Sequence, residues 1–124
     1  MKAVTITTDN IVSIVEVQSN GSPLYKQMNE VVGGYYENVY PRRLKEGFVM
    51  VVNEEGLMKE LPLNIIGSYL YETDKHGSPI VGDVIILKLG HFQGEPDVVG
   101  LTDDEANEIM NDLLKTVEKL KGAF

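Results

Sequence analysis

Arg42 and Arg43 stand side by side, and Tyr35, Tyr36 and Tyr40 precede them closely. A guanidinium fork binds phosphate or carboxylate through paired hydrogen bonds, and a phenol ring offers a face for stacking. In an acidic chain such a patch can read a small anionic ligand, a nucleotide for instance, or a partner protein. Tyr35, Tyr40, Arg42 and Arg43 are therefore the candidate ligand- or partner-binding residues. The plainer alternative is a surface loop whose arginines pair with Glu37 or Glu46. Tyr69-Leu70-Tyr71 is a second aromatic group that could face a partner.

The other chemical candidates are thinner. His76 and His91 are the only histidines, and each lies beside a glycine in an expected loop. A metal or hydrolytic site would need them to converge with a carboxylate such as Asp74, Asp83 or Glu95. No local spacing brings that about, so solvent-exposed loop histidines are the simpler reading. Glu54 and Glu55 could be the paired acids of glycoside hydrolysis, but neighbours on a tight turn point apart. Gly33-Gly34 follows an expected helix instead of opening one, which is the wrong geometry for a phosphate cradle. Neither the P-loop nor the dinucleotide-binding glycine pattern is present. No catalytic residue, metal site or cofactor is assigned.

These residues must be positioned by elements whose signals are partly clear. The run from Phe48 to Val52 is continuously apolar and β-branched, bounded by Gly47 and by Asn53-Glu54-Glu55-Gly56. It reads as a strand buried on both faces, around which the rest folds. Val84 to Leu87 is a second such strand. Alternation from Lys2 to Thr7 and from Ile11 to Gln18, with Asp9-Asn10 between, predicts an opening hairpin. Ser22-Pro23 predicts a helix start, with Leu24, Met28, Val31 and Val32 as its apolar stripe and Gly33 as its terminator. Tyr35 to Tyr40 alternates as a strand with one exposed face.

Asn53 to Gly56 predicts a hairpin turn or a short return strand near Leu57. Asn64 can cap a short helix through Ile65, Ile66, Tyr69 and Leu70, although Gly67 weakens it. Asp74 to Pro79 and Gly90 to Pro96 read as loops, and Asp97 to Leu101 as a short edge strand. Thr102-Asp103-Asp104-Glu105 is a capping box. It opens the strongest helix, in which Ala106, Ile109, Met110, Leu113, Leu114, Val117 and Leu120 share a stripe.

Composition sets the outer bounds. The chain has 124 residues, which fits one domain over 1–124. Hydrophobic residues at 43% and charged residues at 24% are ordinary for a globular domain. There is no cysteine, which removes disulfides, thiolate zinc sites and a cysteine nucleophile. The net charge of −8 disfavours direct binding to nucleic acid. It also permits an acidic DNA mimic, although ordinary solubility explains it as well. The N-terminus lacks the apolar region of a signal peptide. No apolar segment approaches the ~20 residues that span a bilayer. A cytoplasmic protein with no membrane association is expected.

The order of these pieces carries a resemblance. Val31-Val32-Gly33-Gly34-Tyr35-Tyr36-Glu37 precedes a buried strand, then Asn53-Glu54-Glu55-Gly56 and Leu61-Pro62-Leu63-Asn64 follow. Ile80-Val81-Gly82 comes before a strand, and Gly100 to Glu105 before the last helix. From about Ile14 to Leu114 the chain resembles DUF3846, a family of small phage and mobile-element proteins of unknown function. The resemblance implies an accessory protein in a bacterial host. It supplies no catalytic residues, and the segments from Pro41 to Gly47 and from Gly90 to Pro96 match nothing in the pattern.

The combined expectation is one α+β domain. A mixed, mostly antiparallel sheet holds Ile11 to Gln18, Phe48 to Val52 and Val84 to Leu87, covered by the helices that start at Pro23 and Thr102. The leading functional expectation is an accessory protein that binds a host protein or a small anionic ligand. The alternatives are a small enzyme using His76, His91 and loop carboxylates, and a DNA-mimic inhibitor. A homodimer is a further expectation, since open sheet edges invite self-association.

Overall fold

The computed structural model describes the backbone of residues 1–124 and every side chain except that of His76. The elements in chain order are β1 (Lys2–Ile6), β2 (Val12–Glu16), α1 (Gly21–Val32), β3 (Tyr36–Val39) and β4 (Phe48–Asn53). They continue with α2 (Ile65–Leu70), α3 (Thr73–His76), β5 (Val84–Phe92), β6 (Glu95–Val99) and α4 (Asp103–Leu120). The strands form one six-stranded sheet in the order β2-β1-β5-β4-β3, with β6 also paired to β5. Every strand pairing is antiparallel, so the α+β expectation is met by a wholly antiparallel sheet.

Strand residues alternate between faces, and here both faces are covered. In β5, Val84 and Ile86 enter one core while Ile85 and Leu87 enter the other. The first core is closed by Ile66 and Leu70 of α2 and by Ala106, Ile109 and Leu113 of α4. The second is closed by Leu24, Met28 and Val32 of α1. The two main helices thus lie on opposite sides of the sheet. This explains why Phe48 to Val52 and Val84 to Leu87 are apolar without alternation. The centre, however, is β5: it pairs with β4 on one side and with β1 and β6 on the other.

Several local expectations need correction. Helix α1 begins at Gly21 instead of Pro23, and Asn20, its N-cap, makes no side-chain capping bond. Gly21 has φ +68, so right-handed geometry starts no earlier than Ser22. Pro23 remains in the first turn, where a missing N–H costs nothing. No return strand forms near Leu57. Asn53 Oδ1 accepts the Glu55 N–H at 2.8 Å. The chain then coils, with Lys59 N–H on Glu55 O at 2.9 Å and Leu61 N–H on Gly56 O at 3.0 Å. The stretch after Asp74 is not all loop, because Thr73–His76 makes one helical turn.

The expected loop from Gly90 to Pro96 is a hairpin instead. β5 runs on to Phe92, turns at Gln93 and Gly94 with φ of 54° and 79°, and returns as β6. Two consecutive positive φ values match the twist of the strands. Pro96 is tolerated because the pair that closes such a turn, Phe92 with Glu95, is the hydrogen-bonded one. At the next pair, His91 with Pro96, the backbone groups point away from β5.

Other expectations hold. Asn64 caps α2, its Oδ1 accepting the Gly67 N–H at 2.8 Å. Gly67 belongs to that arrangement: a Cβ there would lie 3.1 Å from Asn64 Oδ1 and 3.0 Å from Ile80 Cγ2. The capping box of α4 is complete, with Glu105 N–H on Thr102 Oγ1 at 3.2 Å and Thr102 N–H on Glu105 Oε1 at 2.8 Å. Burial pushes the Glu105 carboxyl up, but hydrogen bonds from Lys88 and from Thr102 outweigh it and leave its pKa lowered.

Helix α1 is tied to the β5–β6 hairpin by the Tyr25 hydroxyl, which donates to the Asp97 carboxylate. That hydrogen bond, with desolvation behind it, pushes the Tyr25 pKa up from 10.0 to about 12. The folded state therefore holds a proton that the unfolded chain releases first. The resulting stability is whole below pH 10.0 and is lost as the pH rises to about 12. Urea denaturation at stepped alkaline pH should show this loss, and Tyr25→Phe should remove the tyrosine's part of the slope.

Candidate functional site

The four candidate binding residues separate into different surroundings. Arg43 is used within the fold. Its guanidinium lies 4.0 Å from the centre of the Tyr69 ring. Nη1 donates to the Tyr69 carbonyl at 2.9 Å, and Nε lies 3.6 Å from Glu72 Oε1. The partner is Glu72, not the Glu37 or Glu46 expected for a surface loop. Glu72 is 8% exposed, adopts φ 56 and also meets Lys75 at 3.4 Å. The Lys119 ammonium donates to the Tyr69 hydroxyl at 2.8 Å and holds its pKa below 10.0. Together these contacts fasten the segment after Pro41 to α2 and α4.

Tyr40 and Arg42 remain available. They are exposed and line a shallow hollow with Asn38 and Tyr71. Among the described residues Arg42 forms no ion pair. At Val39 and Tyr71 the hollow adjoins a deeper cleft of about 270 Å³. One wall of the cleft is β3, another is the coil at residues 53–58, and the third is residues 78–81. Glu37, Glu54 and Glu55 all line it. Glu37 and Glu54 form no ion pair among the described residues, and Glu55 meets only Lys59, at 3.9 Å. The groove therefore has a cationic end at Arg42 and an acidic body.

Tyr35 is 73% exposed and sits outside both hollows, joined to the coil by the Glu54 N–H on its carbonyl at 2.9 Å. Leu57 and Met58, exposed by 59% and 81%, stand on the same coil. Residue type and spacing mark Glu54 and Glu55 only as a possible acid pair and Glu37 only as a salt-bridge partner for the arginines. Their meeting depends on β3 lying beside β4, which no local signal announces.

Of the hydrolytic candidates, Asp83 and His91 do not meet. Asp83 immediately precedes β5 and accepts the Thr8 N–H at 3.0 Å, whereas His91 is near the strand's far end. At about 3.3 Å per residue they are roughly 26 Å apart. Among the described residues no group of three or more histidines or carboxylates could hold a metal ion. The side chain of His76 lies outside the described residues. Among the described residues no helix is long and apolar enough to cross a membrane.

The molecule is thus an α+β domain with a doubly covered antiparallel sheet and an acidic cleft at one sheet edge. Residues 1–114 match the family model described as a domain of unknown function, DUF3846. The chain belongs to that family. No curated protein and no solved structure matches it.

Proposed function

We propose that this protein is a phage or mobile-element accessory protein that acts by binding a host protein, in the cytoplasm of the bacterial host, and does no chemistry of its own. The observation that supports this reading is the groove in which Tyr40 and Arg42 open into a cleft flanked by exposed Leu57 and Met58. Exposed aromatic, methionine and arginine side chains around a concavity are the composition of a protein interface. A small anionic ligand has Arg42 as its counter-ion but meets Glu37, Glu54 and Glu55 in the same groove. The charge therefore favours a protein partner over a free anion. Self-association falls to the open edge of β2 on this reading. Two β3 edges brought together would juxtapose the same acids from both copies.

The test is gentle capture of the tagged protein from bacterial host cells, followed by native mass spectrometry. The comparison is a variant carrying Tyr35→Ala, Tyr40→Ala and Arg42→Ala. Arg43 is left in place because its loss would loosen the fold. A protein partner held by the parent chain and weakened at least about tenfold in the variant is the expected result. A partner held equally by both, or a parent chain that carries none, defeats the reading. The parent spectrum also gives the oligomeric state directly.

A further inference from the structure

We infer that the open edge of β3 takes up an extended, lysine- or arginine-bearing segment of a partner protein as an additional strand. This rests on the binding reading above and specifies its mode. In an antiparallel ladder, alternate residues direct both backbone groups to the neighbouring strand and the others direct both outward. The Glu54 N–H on Tyr35 O, at 2.9 Å, fixes the phase. Continuing the register of Tyr36 with Asn53 and Glu37 with Val52, Glu37 and Val39 spend their backbone groups on β4. Tyr36 and Asn38 present theirs to the edge. Among the described residues nothing pairs with that edge.

An open row of amides and carbonyls is a template for another strand. The charge beside it selects the occupant. A strand laid along β3 places every second side chain on the face where Glu37 and Val39 border the acidic cleft. Lysine or arginine at those positions meets Glu37 and Glu54, which have no cation of their own. A second copy brings like charge to the same place, and nucleic acid does so more strongly.

A fluorescent synthetic peptide alternating lysine and valine is the probe, with a glutamate–valine peptide as the control. Binding is read by anisotropy at low salt, and amide exchange by NMR on the full chain. The lysine peptide should bind, weaken as salt is raised and slow exchange of the Tyr36 and Asn38 amides at least about tenfold. Asn38→Pro removes an outward N–H without breaking a β4 bond, so it should abolish binding with the fold intact. Glu37→Gln with Glu54→Gln should weaken binding at least about tenfold and serves if the proline variant fails to fold. Peptide binding without slowed exchange at Tyr36 and Asn38 overturns strand addition. Equal binding of the two peptides, or none by the lysine peptide, overturns the basic partner. Neither result touches the groove reading, which stands or falls on partner capture by the Tyr40 and Arg42 variant.

Discussion

Asn64→Ala should lower the free energy of unfolding by about 3–5 kcal/mol, far more than loss of an ordinary helix cap at about 1 kcal/mol. Asn64 is completely buried. Its Oδ1 accepts the Gly67 N–H at 2.8 Å, and its Nδ2 donates to Ile6 O at 3.0 Å and to Gly82 O at 2.9 Å. One amide therefore joins the end of β1, the start of α2 and the approach to β5. Alanine leaves these backbone groups enclosed with a partner removed from each. Asn64→Asp separates the roles, because it keeps the acceptor for Gly67 but turns an oxygen toward two carbonyls. At neutral pH it should be at least as harmful as alanine, and it should recover partly in acid, where a protonated carboxyl can donate. Urea denaturation of the three proteins decides. An alanine cost under about 1 kcal/mol would mean that these groups find other partners.

The same residue bears on the candidate site. The Asn64 N–H donates to Ile80 O at 2.9 Å, and the Ser68 hydroxyl accepts the Ile80 N–H at 3.0 Å. Ile80 lies in the cleft wall opposite β3, so this junction holds the groove open at a fixed width. If the groove binds a partner as proposed, a weakened Asn64 variant that still folds should lose affinity for it as well as stability.

What could be read from the sequence was local chemistry. The capping box at Thr102 and Glu105, the stripe on α1 and the Asn64 cap each depend on residues within one turn of one another. The β5–β6 turn escaped because glutamine is an unusual occupant of a left-handed position and Pro96 reads as a breaker. Phe48 to Val52 looked central because it is apolar on both faces. Val84 to Leu87 is equally apolar, and only the pairing shows that β5 has neighbours along both sides. In the candidate groove, Tyr40 and Arg42 stand out by residue type alone. Arg43 was not separable from Arg42, because its partners Tyr69 and Glu72 come from a distant part of the chain. Whether two helices share one face of a sheet or divide between both is set by how the chain crosses it, and no stripe encodes that.

That division gives the other large effect. Ile85 and Ile86 are adjacent and both fully buried, yet they belong to opposite cores. Ile85 lies beside Thr5 and Val51 across the ladder, and Ile86 beside Val4 and Met50. Alanine at either position should cost about 2–5 kcal/mol through lost burial and the cavity left behind. The side chains share no packing partners, so the costs should nearly add. Their sum is about 4–10 kcal/mol against a total stability of roughly 5–15 kcal/mol for a domain. The double variant should therefore lose most of its stability, about twice what either single variant loses, as urea titration followed by circular dichroism would show. If both helices packed on one face, one of the two isoleucines would look toward solvent and its truncation would cost less than about 1 kcal/mol. A large penalty at Ile85 can arise only if α1 covers the face opposite α4, so the pair of truncations tests the division of the two helices between the faces.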